Sequence, residues 1–271
     1  MNQKCKIIIF SDIHYLDIGT EPRNKRKITE LAVSILNKLT GEINNKYKPD
    51  VCIHLGDLIQ DTRNHDKNLE NIKYICEQFN NIKFPFYSLI GNHDLATMES
   101  RREVEEILGY EHSTFSININ GYHLVLLGSD VEVNMGDING GVNKTRFISK
   151  EDLKWLQKDL QENKLPCMIF SHFGIAEDDM KGNYWFEEKP EYAVFENREE
   201  LKQIIKENNN IIAVFSGHQH WTKKINEDGI NYYLLGSLVE DINSNGIPDG
   251  VYFEVNLENE KVDVVEHHIV I

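Results

Sequence analysis

Five short runs of apolar residues divide the chain, and each stops at polar residues of the same chemical kind. The runs are Cys5-Lys6-Ile7-Ile8-Ile9-Phe10, Val51-Cys52-Ile53-His54-Leu55, Phe84-Pro85-Phe86-Tyr87-Ser88-Leu89, Pro166-Cys167-Met168-Ile169-Phe170 and Ile211-Ile212-Ala213-Val214-Phe215. Runs this short, without alternation, predict strands buried on both faces. After the first, Ile28, Leu31, Ala32, Ile35, Leu36, Leu39 and Ile43 recur at helical spacing, which predicts an amphipathic helix over 24–47. Leu69, Ile72, Ile75, Cys76 and Phe79 predict a second helix before the third run. Strand, helix, strand, helix, strand reads as a parallel sheet with right-handed crossovers.

The middle of the chain has a different pattern. Residues 113–119 alternate apolar and polar, and Asn120-Gly121 separates them from the run Tyr122 to Leu127, a hairpin signature. A glycine-rich, irregular segment runs from Val133 to Arg146. Ser149-Lys150-Glu151-Asp152 then opens a helix with Leu153, Leu156 and Leu160 on one face. Between Phe173 and Arg198 lies an aromatic, acidic stretch too long for an ordinary connection. A short helix with Leu201, Ile204 and Ile205 follows it, and the segments after Asp228-Gly229 read as antiparallel strands. With no internal repeat or linker, the 271 residues are expected to form one α/β domain over 1–271, with a possible substrate-facing insertion at 174–198.

The ends of the five runs carry the chemistry. They are Ser11-Asp12-Ile13-His14, Gly56-Asp57-Leu58-Ile59-Gln60-Asp61, Gly91-Asn92-His93-Asp94, Ser171-His172 and Ser216-Gly217-His218-Gln219-His220. Parallel strands bring such ends to one edge, where open sheets place ligands. Each block alone also reads as an ordinary polar turn, because Gly, Asn and Asp form turns. Histidine and carboxylate groups gathered from several strands suit zinc, manganese or iron, with no thiolate needed. Eight such groups, Asp12, His14, Asp57, Asn92, His93, His172, His218 and His220, are too many for one ion and fit two, with one carboxylate bridging. His218 and His220 at i, i+2 can address neighbouring ions. Gly56, Gly91 and Gly217 keep side chains from crowding them.

These blocks, in this order, resemble the calcineurin-like metallophosphoesterase superfamily. The resemblance implies two mixed β-sheets packed as a sandwich between helices. It implies one metal on Asp12, His14 and His220, a second on Asn92, His172 and His218, and Asp57 bridging. His93 would protonate the leaving oxygen, with Asp94 holding its ring. The expected reaction is in-line attack of a metal-bridging hydroxide on a phosphoester. A small-molecule or nucleotide-type phosphodiester or diphosphate is the expected substrate, since His93 can protonate a poor leaving group; a phosphomonoester is the alternative. A non-catalytic relative would be expected to lack some ligands, and here every position is filled.

Charge narrows the partners. Forty-four acidic residues against 29 basic give a net charge of −15, which disfavours a grip on nucleic-acid polymers. A small anionic substrate remains compatible, because bound cations reverse the local potential. No apolar stretch is long enough to span a membrane, and residues 1–6 lead straight into a strand, so no signal peptide is expected. Cys5, Cys52, Cys76 and Cys167 show no CxxC spacing and read as buried thiols of a reducing compartment, so the cytoplasm is the expected location. His54 reads as a packing residue, and His65, His112, His123, His267 and His268 as surface or hairpin positions. Asp241 to Asp249 has the opening of a calcium loop, but Tyr252 stands where the bidentate Glu belongs, so it reads as a turn. Arg23, Arg26 and Trp185 are candidate substrate-facing residues.

Overall fold

A computed structural model describes residues 3–17, 25–130 and 146–270. Arg23 and most of the glycine-rich segment lie outside them. The first sheet is built from β1 (Lys4–Phe10), β2 (Val51–His54), β3 (Phe86–Ser88), β10 (Val251–Glu258) and β11 (Lys261–His268), in the order β11-β10-β1-β2-β3. The second holds β4 (Phe115–Ile119), β5 (Tyr122–Leu127), β6 (Cys167–Ser171), β7 (Ile211–Ser216), β8 (Lys223–Glu227) and β9 (Ile230–Leu234), in the order β4-β5-β6-β7-β9-β8. β1, β2 and β3 pair in parallel, as do β5, β6, β7 and β9, while β10, β11, β4 and β8 add antiparallel edges.

The unbroken apolar runs follow from this layering. Ile7 and Ile9 enter the core between the sheets with Leu124, Phe170 and Phe215. Ile8 and Phe10 point the other way, onto α1 (Ala32–Glu42) and α2 (His65–Phe79). The second sheet does the same with α5 (Lys150–Glu162) and α6 (Arg198–Lys206), against which Val125, Ile169 and Val214 pack. With a layer on each face the central strands are mostly apolar, and buried exceptions such as His54 with Ser88 and Ser171 with Ser216 are hydrogen-bonded to one another; each buried Ile contributes about 1.5–3 kcal/mol. The remaining α-helices among the described residues are the single turn α3 (Asn92–Leu95) and the short α4 (Arg102–Leu108).

Two expectations are corrected. The helix expected over 24–47 begins only at Ala32, after a 3₁₀ turn at Thr29–Leu31. Residues 26–28 instead run beside 239–241: the Ile28 amide donates to the Val239 carbonyl (2.9 Å) and the Asp241 amide to the Arg26 carbonyl (2.8 Å). His123 is buried, not superficial, with Nε2 2.6 Å from Asp159 Oδ2. The Asp241 carboxylate accepts from the Asn245 and Gly246 amides (3.0 and 2.7 Å), as a turn requires. All four cysteines are free thiols, and burial pushes Cys5, Cys52 and Cys76 up to about 12. Among the described residues, no helix is long and apolar enough to cross a membrane.

Candidate metal centre

The carboxyl ends of β1, β2, β3, β6 and β7 meet at one end of the sandwich. Five of the side chains expected there sit on left-handed backbone: Asp12 (φ 56°), His14 (45°), Asp57 (58°), His218 (65°) and His220 (49°). Each such residue costs on the order of 1 kcal/mol, and such strain gathers at functional sites. The cost is met by a zipper between two loops, in which the amides of Asp12, His14 and Tyr15 donate to the carbonyls of Gly56, Asp57 and Leu58 at 3.0, 3.1 and 2.9 Å. The close approach explains the glycines. A Cβ on Gly56 would lie 2.8 Å from His172 Nδ1, one on Gly91 would overlap the Asp57 carboxylate, and one on Gly217 would overlap Ser11 Oγ.

Two groups of donors converge. Asp12, His14, Asp57 and His220 form one, and Asp57, His172 and His218 the other, with the donor atoms of each within 4.8 Å of one another. In the first, His220 Nε2 lies 3.2 Å from Asp12 Oδ1 and 2.9 Å from His14 Nε2, and His14 Nε2 lies 3.7 Å from both Asp12 Oδ1 and Asp57 Oδ2. In the second, His172 Nε2 lies 3.4 Å from Asp57 Oδ1 and 3.1 Å from Asn92 Oδ1. Asp57 thus turns one oxygen to each group. Metal bonds of about 2.1 Å place neighbouring donors about 3.0 to 3.4 Å apart in octahedral or tetrahedral arrangements. The donor set fits two ions on that measure.

Hydrogen bonds fix which nitrogen faces inward. His172 donates from Nδ1 to the Leu55 carbonyl (2.8 Å), His220 from Nδ1 to Glu240 Oε2 (2.6 Å), and His218 from Nε2 to the Tyr192 carbonyl (3.0 Å). Each leaves its other nitrogen for a metal, the arrangement that orients metal-binding imidazoles. Asp12 Oδ1 is buried and takes no hydrogen bond. Burial alone would raise Asp12 and Asp57, but His220 and His172 respectively hold them well below the carboxylate range. Burial lowers His218 to about 3, so it stays neutral.

His93 stands at the mouth. Its side chain is 20% exposed, whereas Asp12, His14 and His172 are fully buried. The expected contact from Asp94 to its ring is not there. Asp94 accepts instead from the amides of Gly91 (2.8 Å), Asp57 (3.1 Å) and Ile59 (3.2 Å), clamping the Asp57 loop. Burial and the nearby Asp57 push its carboxyl up to about 8 against those amides. The carboxylate on the His93 ring is Asp61, with Oδ1 2.5 Å from Nδ1, and Gln60 Nε2 is 3.2 Å from the same nitrogen. Asp61 and Gln60 close the second strand-end block, so the signal for them is position in that loop.

The 174–198 segment lies over the His218–His220 turn. Gly174 bridges Val194, the Asn183 side chain donates to the Gln219 carbonyl (2.9 Å), and Gln219 Nε2 to the Ala193 carbonyl (3.1 Å). Trp185 stands 5.9 Å from the His220 ring and donates from Nε1 to Glu240 Oε1 (3.0 Å). Arg26 pairs with Glu240 and covers the Tyr184 ring at 4.2 Å. Glu240 therefore ties His220 to this segment, and no motif in the sequence marks it. Glu240→Gln, which keeps the shape and removes the charge, is expected to weaken metal binding about ten- to a hundredfold. Titrating metal-stripped protein against a chelating indicator measures that.

A sequence model of the calcineurin-like phosphoesterase family matches residues 5–222, which include all the donors above. The chain is 27% identical over 223 residues to a protein of Arcobacter nitrofigilis named "Probable glycerophosphodiester phosphodiesterase", covering 79% of this chain and 71% of that one. It is 22% identical over 211 residues to a "Probable cyclic nucleotide phosphodiesterase" of Psychrobacter arcticus, covering 73% of this chain and 61% of that one. In fold it is similar to a dimetal phosphatase from Danio rerio, with a TM-score of 0.70 at 13% identity over 97% of this chain and 98% of that chain.

Proposed function

The chain belongs to the calcineurin-like phosphoesterase family, and on that premise we propose that it hydrolyses a small phosphodiester of glycerophosphodiester or nucleotide type. Asp12, His14 and His220 would hold one ion, Asn92, His172 and His218 the other, with Asp57 between. Two ions held there supply a nucleophile at neutral pH and neutralise charge on the phosphoryl oxygens. The observation that carries the reading is the placement of His93, whose Nε2 lies beside the donor groups, 4.0 Å from Asp57 Oδ2, while Asp61 holds Nδ1.

A diester of an alkyl alcohol leaves as a strongly basic alkoxide, so its departure needs a proton. His93 Nε2 would give that proton to the leaving oxygen as the ester P–O bond breaks and the bond from water forms. Asp61 would hold the ring in place and stabilise its charged form. The products are a phosphomonoester and an alcohol. Two relatives named as phosphodiesterases support the diester class.

Hydrolysis of bis(p-nitrophenyl) phosphate and p-nitrophenyl phosphate by chelator-stripped protein, with manganese, zinc or iron added back, tests this. Metal-restored activity on the diester is expected. Activity on the monoester alone would convert the reading to a phosphatase, and silence on both with two ions bound would overturn it.

A further inference from the structure

Among the described residues, Lys27 is the one buried lysine, and it opens onto the metal centre. Its backbone is held at the rim, because Lys27 bridges Glu240 and the flanking residues pair with Val239 and Asp241. Its ammonium lies 3.3 Å from Gln60 Oε1, 3.3 Å from His93 Nε2 and 5.2 Å from the Trp185 ring centre. Among the described residues it makes no ion pair. Asp57, Asp12, Glu240 and Asp61 attract it only from beyond ion-pair distance, and burying a charge with no direct carboxylate contact is costly unless a ligand completes it.

The contact with His93 sharpens this. An ammonium N–H facing Nε2 requires the bare nitrogen there, whereas a ring carrying a proton on Nε2 would set two donors against each other. An anionic oxygen between them accepts from both. We propose that Lys27 is a substrate-binding residue that donates to a non-bridging oxygen of the phosphoryl group, so that the site grips phosphate with a protein cation beside its metals. This rests on the phosphoester reading above. The same contact would hold orthophosphate, and Trp185 would keep the lysine stem aimed inward.

Calorimetric titration of manganese-loaded protein with inorganic phosphate tests it, beside a count of bound manganese. Lys27→Gln should keep two manganese ions, since removing a cation near their ligands cannot weaken their attraction. It should bind phosphate about ten- to a hundredfold more weakly, the size of one charge-assisted hydrogen bond. Lys27→Arg should recover part of the loss. Lys27→Met keeps the stem against Trp185 and serves if the glutamine variant fails to fold. Unchanged phosphate affinity in a manganese-replete, charge-free variant overturns the role of Lys27 alone. Loss of manganese from that variant also overturns it, because the lysine is then scaffolding. Wild-type protein that holds two manganese ions but binds no phosphate overturns the inference, and overturns the phosphoester reading with it only if that protein also hydrolyses neither p-nitrophenyl ester.

Discussion

Asp57→Asn is expected to release both metal ions and abolish turnover. Its two carboxylate oxygens face different donor groups, with Oδ2 3.7 Å from His14 Nε2 and Oδ1 3.4 Å from His172 Nε2. A unit charge at about 4 Å is worth about 4 kcal/mol at an effective dielectric of 20, or roughly a thousandfold in binding. One substitution removes that attraction from both ions at once. Metal analysis after dialysis checks it, and retention of both ions would show that Asp57 does not bridge them. The pair also sets a pH dependence. Burial pulls His172 down, but Asp57 and Asp12 together raise it to about 9. In metal-free protein the charged His172 therefore contributes stability that is complete below its unfolded pKa, about 6.5, and lost as pH rises through about 9. A metal needs the neutral nitrogen and displaces that proton. Affinity in the wild type should climb with pH up to about 9 and level off above it, and in the asparagine variant, which loses Asp57 but keeps Asp12 near His172, the climb should end at lower pH.

The metal donors are legible because they follow the buried runs, and a run's end is a local signal. Ile7 to Phe10 and Val214 to Ser216 read as strands from composition alone, and parallel pairing then gathers the groups after them on one edge. What escapes has two physical causes. Lys27 and Glu240 meet across more than 200 residues through paired backbone, and periodicity, being local, assigns the stretch around Ile28 to a helix. Pairing with residues 239–241 overrides that spacing and delivers a lysine to the site. Asp94 is misassigned for the opposite reason, by trusting adjacency. Residues 92–95 form one helical turn, and neighbours on a helix point about 100° apart. Asp94 therefore turns into the backbone amides while His93 turns to the mouth, where Asp61 of the preceding loop meets it.

His93→Ala is expected to lower turnover by about 10² to 10⁴ while leaving both ions in place. Its ring is not in either donor group: it meets the His14 ring edge-on (4.7 Å between centres) and brings Nε2 4.0 Å from Asp57 Oδ2, but the hydrogen bond to a metal-binding side chain is made by its amide, 2.9 Å from Asp57 Oδ1, and alanine keeps that amide. The loss should depend on the leaving group. A p-nitrophenolate departs with little help, so the variant should keep more of its activity on bis(p-nitrophenyl) phosphate than on an alkyl diester such as glycerophosphocholine. Asp61→Asn should follow the same ordering with a smaller loss, since it leaves the ring but removes the charge 2.5 Å from Nδ1. Measuring both substrates on both variants at a verified metal content separates proton donation from binding. A uniform loss on the two esters would make His93 a binding residue, and a metal-replete alanine variant with full turnover on the alkyl diester would remove it from the chemistry. The steep ordering is expected because Nε2 lies beside the donor groups, 4.0 Å from Asp57 Oδ2, with Nδ1 held by Asp61.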